Sequence, residues 1–276
     1  MPQLMGIVNA GPDSFSDPGR RDLGELVERA LRLVDDGAAV IDVGGESGRT
    51  DRPAVPEDEE VARVVPLVER LAGQGVRVSV DTWRGPVARA VLAAGAVMIN
   101  DVSALRDPGV AEACARDGAH LVITHTRLPP KQKGFPEYAD VMEDVIALLR
   151  ERVAEASDQG VEERRIVLDP GLDLAKTPAQ SVELLRRLPE LCALGHPVLV
   201  AASRKDFVGA LTGRRPAERD AGTLAALDAA VEGGASVLRV HDVAGARDYL
   251  AVRAALQGER EVPQLDESLR REPDAA

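Results

Sequence analysis

The chain has 276 residues, 45% of them hydrophobic and 29% charged, with a formal net charge of -12 and a pI near 4.9. That is material for one sizeable core, and the acid excess repels polyanions, which argues against nucleic acid or an anionic membrane as partner while leaving room for a small anion held by local arginines. Aromatics at 2% are too few for base-stacking platforms, and two cysteines far apart, Cys114 and Cys192, indicate neither a disulfide framework nor a zinc site.

No run approaches the roughly 18 apolar residues of a membrane span, and residues 1–6 carry no leader-like pattern, so a cytoplasmic protein with no membrane partner is expected. In chain order, apolar runs cover residues 4–8, 40–43, 76–80, 97–99, 121–124, 166–168, 198–202 and 237–240. Each ends on a polar residue or a turn: Asn9, Gly44, Asp81, Asn100 with Asp101, His125, Asp169, Ser203 and His241. Between them lie segments of period near 3.6, at 23–36, 56–72, 86–94, 107–117, 138–160, 178–194, 222–233 and 243–256. Pro86, Pro108 and Pro178 sit where a first helical turn tolerates proline, and glycines such as Gly95 and Gly118 sit where helices stop. Eight strand-helix units predict an α/β fold, a (β/α)8 TIM barrel in a single domain over 1–257, with a charged, disordered tail over 258–276. The segments 9–21, 44–56, 126–137 and 205–220 read as mobile active-site loops.

A barrel brings the eight strand ends to one rim, where barrel enzymes keep their active sites. Asp81, Asn100 and Asp169 would then share a cavity as two carboxylates and an amide, a set suited to a flat, N–H-rich ring. The competing reading is that each caps the helix that follows. Arg239 and His241, two apart on the last strand, share a face and suggest an anion site of two cationic or potentially cationic groups. Lys205 is a candidate ligand contact after the seventh strand, whereas Arg204 reads as solvent-facing. His120 and His196 read as structural, and His125 remains open between the two roles.

The strings Met5-Gly-Ile-Val-Asn9 with Pro12 to Asp17, Ile41-Asp-Val-Gly-Gly-Glu-Ser47, Ser79-Val-Asp-Thr82, Ile99-Asn-Asp-Val-Ser103, Leu168-Asp-Pro-Gly171 with Lys176-Thr177, Ser203-Arg-Lys205 and Leu238-Arg-Val-His241 together resemble the dihydropteroate synthases. These are pterin-binding barrel enzymes of folate synthesis, and the resemblance spans about residues 4–256. It implies joining of 4-aminobenzoate to a hydroxymethyl-dihydropterin diphosphate with loss of pyrophosphate. It further implies that Asp81, Asn100, Asp169 and Lys205 hold the pterin, and that Arg239, His241, Arg49 and Asn9, the last through Mg²⁺, hold the diphosphate. Asp17 would face the cationic pterin, Ser203 and Arg49 would meet the aminobenzoate, and a homodimer through the late helices is implied.

The chain departs from the family at Ala10-Gly11, Gly48 to Thr50, Thr126 to Leu128, Leu172 to Leu174 and Asp206. Most of these fall in loops around the aminobenzoate, and Asp173 adds a carboxylate that could intrude on the pterin cradle. Two alternatives therefore accompany the synthase: a divergent paralogue binding a pterin-like diphosphate without that activity, and a pterin-binding methyltransfer module.

Overall fold

Residues 1–11, 13–14, 17–18, 22–46, 53–266 and 269 are described by the structure, a computed structural model, with 13–14 and 17–18 as backbone only. Among them, each apolar run becomes a parallel strand: β1 Gln3–Asn9, β2 Val40–Gly44, β3 Val78–Asp81, β4 Met98–Asp101, β5 His120–Thr124, β6 Ile166–Asp169, β7 Leu199–Val200 and β8 Val237–Val240. They pair in the order β6-β5-β4-β3-β2-β1-β8-β7, and a single bridge between Leu168 and Val198 closes the ring.

Alternation along the strands divides the interior into two storeys. Met5, Val40, Met98, Val122, Val167, Leu199 and Val237 pack together as an apolar floor. Alternate residues of a strand share a face, so two positions further on the same face carries Asp42, Asn100, Thr124, Asp169 and Arg239. Ser79 and Asp81 occupy the corresponding face of β3. The barrel is dry at one end and polar at the other, and on most strands the change takes one step of the alternation, β1 and β7 staying apolar at Ile7 and Ala201.

Around the barrel run α1 Leu23–Asp35, α2 Glu57–Ala72, α3 Gly85–Ala93, α4 Pro108–Asp117, α5 Val141–Asp158, α6 Pro178–Arg186, α7 Leu188–Cys192, α8 Asp206–Thr212, α9 Asp220–Glu232 and α10 Val243–Leu256. Their inward stripes follow the helical period, as in α1, where Leu26, Val27, Ala30 and Leu33 are buried. The caps follow the sequence as well. Pro86, Pro108 and Pro178 lie in first turns, and Asp107, Asp140 and Asp242 accept backbone N–H groups of their own helices. Thr177 and Gln180 form a reciprocal capping box, and Gly118 ends α4 with φ 62°.

Two segments differ from expectation. The single helix read over 178–194 is two, broken at Arg187, because Pro189 has no N–H to continue the ladder. The loop read over 205–220 contains α8 and a 3₁₀ turn, Pro216–Glu218; α8 is too short to show a period and is held by burial of Phe207 and Val208. Beyond α10, residues 258–266 form no helix or strand, and residues 270–276 lie outside the described residues. No helix among the described residues is long and apolar enough to cross a membrane.

Candidate active site

Asp42 and Arg239 organise the polar storey. Arg239 Nε donates to Asp42 Oδ2 at 2.6 Å, Arg239 NH2 donates to Asp81 Oδ2 at 3.1 Å, and Asn100 Nδ2 donates to the same Asp42 oxygen at 3.1 Å. Strands β2, β3, β4 and β8 are thereby tied across the barrel by one guanidinium and two acids. Asp42, fully buried, is the site residue that sequence reasoning missed. Its signal was available: an acid two positions after Val40, on the inward face of an otherwise apolar strand.

The competing capping reading holds for none of the three predicted residues. Among the described residues neither Asp81 nor Asn100 caps the helix that follows: α3 has no side-chain cap and Asp107 caps α4, while the neighbouring Asp101 holds a turn, accepting the N–H groups of Ser103 at 2.6 Å and Leu105 at 3.3 Å, where Ala104 and Leu105 are left-handed. Asp169 faces the mouth while its Oδ1 accepts the Gly171 N–H at 2.7 Å, and α6 is capped by Thr177. Asn100 Oδ1, Asp42 Oδ1, Ser79 Oγ and Thr124 Oγ1 are buried and make no hydrogen bond among the described residues. Such groups in a buried pocket are costly unless a ligand answers them.

Burial raises Asp81 to about 7, against the pull of Arg239 and with Asp42 adding to the rise. It also raises Asp169, with the Gly171 N–H and Lys205 opposing. For Arg239, burial acts downward, but Asp42 and Asp81 outweigh it and the net shift is upward. His241 is pushed down to about 3 by burial and then by Arg239, so at neutral pH it is an uncharged hydrogen-bonding group, not the second cation read from sequence. Its Nδ1 lies 2.9 Å from Ser203 Oγ, which also accepts the His241 backbone N–H at 3.2 Å. Ser203 thus orients the imidazole from across the β7–β8 gap.

Positive charge comes instead from Arg239 and Lys205. The Lys205 ammonium makes no hydrogen bond or ion pair among the described residues, yet it acts on both Asp81 and Asp169. Arg204 is half-buried and ion-paired with Asp220, Nε to Oδ1 at 2.8 Å, a correction to the solvent-facing reading. His125 turns away from the mouth toward α5, with Nε2 2.9 Å from Asp144 Oδ1, and burial followed by the Lys176 charge lowers it to about 3. Its role is structural.

The Asp173 carboxylate, read from sequence as a charge that could intrude on the site, is engaged by α6 and α8. Its Oδ2 accepts the N–H groups of Asp206 and, at 3.4 Å, Phe207, and Ser181 Oγ donates to its Oδ1 at 2.9 Å. Lys176, 1% exposed, donates to the carbonyls of His125, Gly171 and Leu174 at 3.2, 2.9 and 3.0 Å and ties β5 to the β6–α6 loop.

Asn9, at the end of β1, pairs in register with Gly44, and its Oδ1 lies 3.4 Å from where a Cβ on Gly44 would stand. Asp17 as a side chain and Arg49 lie outside the described residues. The frame of the second loop is described: Glu46 accepts the Val55 N–H at 3.1 Å and pairs with Arg84 at 3.0 Å and Lys131 at 2.9 Å. Arg84 also reaches the buried Glu60.

The pterin binding enzyme family model matches residues 5–241. The dihydropteroate synthase of Bacillus subtilis (strain 168) is 41% identical over 243 residues, 87% of this chain and 83% of that protein. Solved structures of Xanthomonas albilineans dihydropteroate synthase are similar as well. The one with 4-aminobenzoic acid superposes with TM-score 0.87 at 46% identity over 95% of this chain and 94% of that one, and the complex with 7,8-dihydropteroate with TM-score 0.84 at 45% identity over 95% of each. On sequence and fold together, the chain belongs to the dihydropteroate synthase family of pterin-binding enzymes.

Proposed function

We infer that the chain is a dihydropteroate synthase, a transferase of folate biosynthesis, which joins 4-aminobenzoate to 6-hydroxymethyl-7,8-dihydropterin diphosphate and releases pyrophosphate. The observation that carries this is the meeting of Asp42, Asp81, Asn100 and Asp169 around Arg239 at the polar end of the barrel. Acids and an amide with open acceptors suit the N–H edge of a pterin, and the fixed cations beside them suit a departing diphosphate.

In this reading Asp81, Asn100, Asp169 and Lys205 hold the ring, and Asp42 sets Asn100 and Arg239. Arg239, His241 and Arg49 receive the diphosphate, His241 as a neutral ring. The C–O bond at the pterin methylene breaks, its electron pair leaving with the diphosphate, while Asp17 faces the electron-poor methylene. The aminobenzoate nitrogen forms the new C–N bond and gives up a proton to water, with Ser203 and Arg49 placing its ring.

Magnesium fits the donor set. No group of three or more acidic, His or Cys side chains able to cage a metal occurs among the described residues, and Mg²⁺ characteristically takes one or two protein oxygens with substrate phosphates and water. Asn9 would supply such an oxygen, beside the side-chain-free Gly44. The ion, when bound, neutralises charge on the departing diphosphate.

The reading extends to a cytoplasmic homodimer, as the family resemblance implies. Val252 and Leu256, one turn apart and exposed on α10, supply apolar surface that a second copy would cover. Sedimentation of the protein and of Val252→Glu checks it; a monomer at micromolar concentration rejects the dimer.

The activity is tested by incubating the protein with the pterin diphosphate, Mg²⁺ and 4-aminobenzoate; absence of aminobenzoate-dependent pyrophosphate rejects it. A pH dependence follows from Asp81. Its carboxylate accepts from the pterin when ionised, and the groups acting on it are Asp42, Glu60, Lys205 and Arg239. Pterin affinity is expected to rise as pH climbs through about 7 and to be about tenfold weaker at pH 6 than at its plateau. Calorimetry between pH 6 and 8 reads this slope, and Asp81→Asn should flatten it.

A further inference from the structure

The backbone around Lys205 is held from several directions, although its ammonium makes no hydrogen bond or ion pair among the described residues. Arg219 NH1 donates to the Arg204 carbonyl at 2.9 Å, to the Lys205 carbonyl at 3.1 Å and to the Asp206 carboxylate at 2.9 Å. The Arg204 N–H donates to Thr223 Oγ1 at 3.0 Å. On the other side of Lys205, the N–H groups of Asp206 and Phe207 are received by Asp173, which comes from the β6–α6 loop more than 30 residues earlier.

Asp173 is itself set for this task. Its Oδ1 takes the Ser181 hydroxyl, and its own N–H donates back to Ser181 Oγ at 3.0 Å, so the carboxylate has one orientation. It adopts φ 62°, a left-handed conformation unfavourable for a side chain with a Cβ, and a glycine would sit there without strain. The chain therefore carries a strained residue where a glycine would be easier. What the carboxylate contacts is the start of the helix that follows Lys205. Ser181 is fully buried, so the prop beneath Asp173 is rigid.

Asp169, which ends β6 four residues before Asp173, stands on the strand next to β7, after which Lys205 follows. One short segment thus presents an acid to the mouth and anchors the backbone from which a cation reaches toward that acid. Covalent chain and two hydrogen bonds join the backbones that carry the two.

Resting on the synthase reading above, we propose that Asp173, braced by Ser181, is a positioning residue that places the Lys205 ammonium for the pterin by holding the first N–H groups of α8. Asp173 touches no substrate in this role. Its effect on binding passes through Lys205, and it registers the pterin-side acid Asp169 against the cation-bearing loop.

The informative variant is Asp173→Gly, because relief of the left-handed strain offsets the lost hydrogen bonds and stability stays near that of the parent. Pterin affinity, measured by calorimetry, is expected to fall about tenfold in Asp173→Gly and less than twofold when the same change is made on Lys205→Ala. Residues acting through one another are non-additive in this way, whereas independent structural damage adds. Equal losses in both backgrounds, or no loss with Lys205 present, overturn the proposal.

A second readout needs no pterin. The chain has four lysines, Lys131, Lys133, Lys176 and Lys205. After reductive ¹³C-methylation the Lys205 signal, assigned by its loss in Lys205→Ala, should move in Asp173→Gly while those of Lys131 and Lys133 stay. An unmoved Lys205 signal also overturns the proposal. If the parent protein binds no pterin at all, the synthase reading falls, and the methyl signal still decides whether Asp173 sets Lys205.

Discussion

Arg239→Ala is expected to destabilise the fold by about 3–5 kcal/mol, the scale for removing one partner of a buried ion pair, and to abolish pyrophosphate release. The guanidinium bonds Asp42 at 2.6 Å and Asp81 at 3.1 Å from two different nitrogens, so its removal leaves two acids facing each other in the barrel. Arg239→Lys should recover only part of either loss, since one ammonium cannot reproduce a fork aimed at two strands. The defect has a pH signature. Asp81 is raised from 3.8 to about 7, so the stability it contributes is fully present below pH 3.8 and is lost as pH rises through about 7. Without Arg239 its rise is larger and the window reaches higher. Thermal melts should therefore show the variant closest to the parent near pH 5 and furthest from it at pH 8. A constant gap across that range would contradict the pairing.

Gly171→Ala is expected to cost about 3 kcal/mol and to weaken pterin binding together with stability. Gly171 has φ 69°, and a Cβ there would lie far inside van der Waals contact of the His125 carbonyl oxygen and 3.2 Å from Lys176 Nζ. A left-handed alanine costs about 1–2 kcal/mol and overpacking about 1–3 more. The strain falls on the turn in which the Gly171 N–H holds Asp169, and on the lysine that joins three carbonyls from β5 and the β6–α6 loop. Urea unfolding reads the first effect and calorimetry the second; an alanine variant with the parent's midpoint would show that this loop adapts.

The barrel was legible because its strands are short apolar runs with polar ends, and the acids at those ends were legible because β-sheet register gathers them. What escaped the sequence has physical reasons. Asp42 lies within a run that otherwise reads as apolar, and although an acid there is a signal, its place in the site is set by partners 58 and 197 residues away. Asp173 could be seen as an added charge, but its direction depends on where α8 begins, and α8 itself exists through tertiary contacts. The neutral state of His241 follows from burial and from Arg239, neither of which a linear pattern weighs. The sequence suggests an anion site from Arg239 and the potentially cationic His241 two residues on; the fold keeps the first charged and the second neutral.

The bridge between Leu168 and Val198 also locates the barrel's mechanical weak point. Other neighbouring strands are laced over two to five registers, whereas β6 and the chain entering β7 share that one pair, reinforced by the Leu168 N–H donating to the Pro197 carbonyl at 2.9 Å. If the cylinder breathes, it cracks along this joint, and amides of residues 166–168 and 198–200 should exchange with deuterium before those of β1 and β2. Asp169 stands on one lip of the crack and Ser203, with its imidazole, beyond the other. Compliance is therefore concentrated at the joint between β6 and β7, where Asp169 and the pair Ser203 and His241 can shift relative to each other.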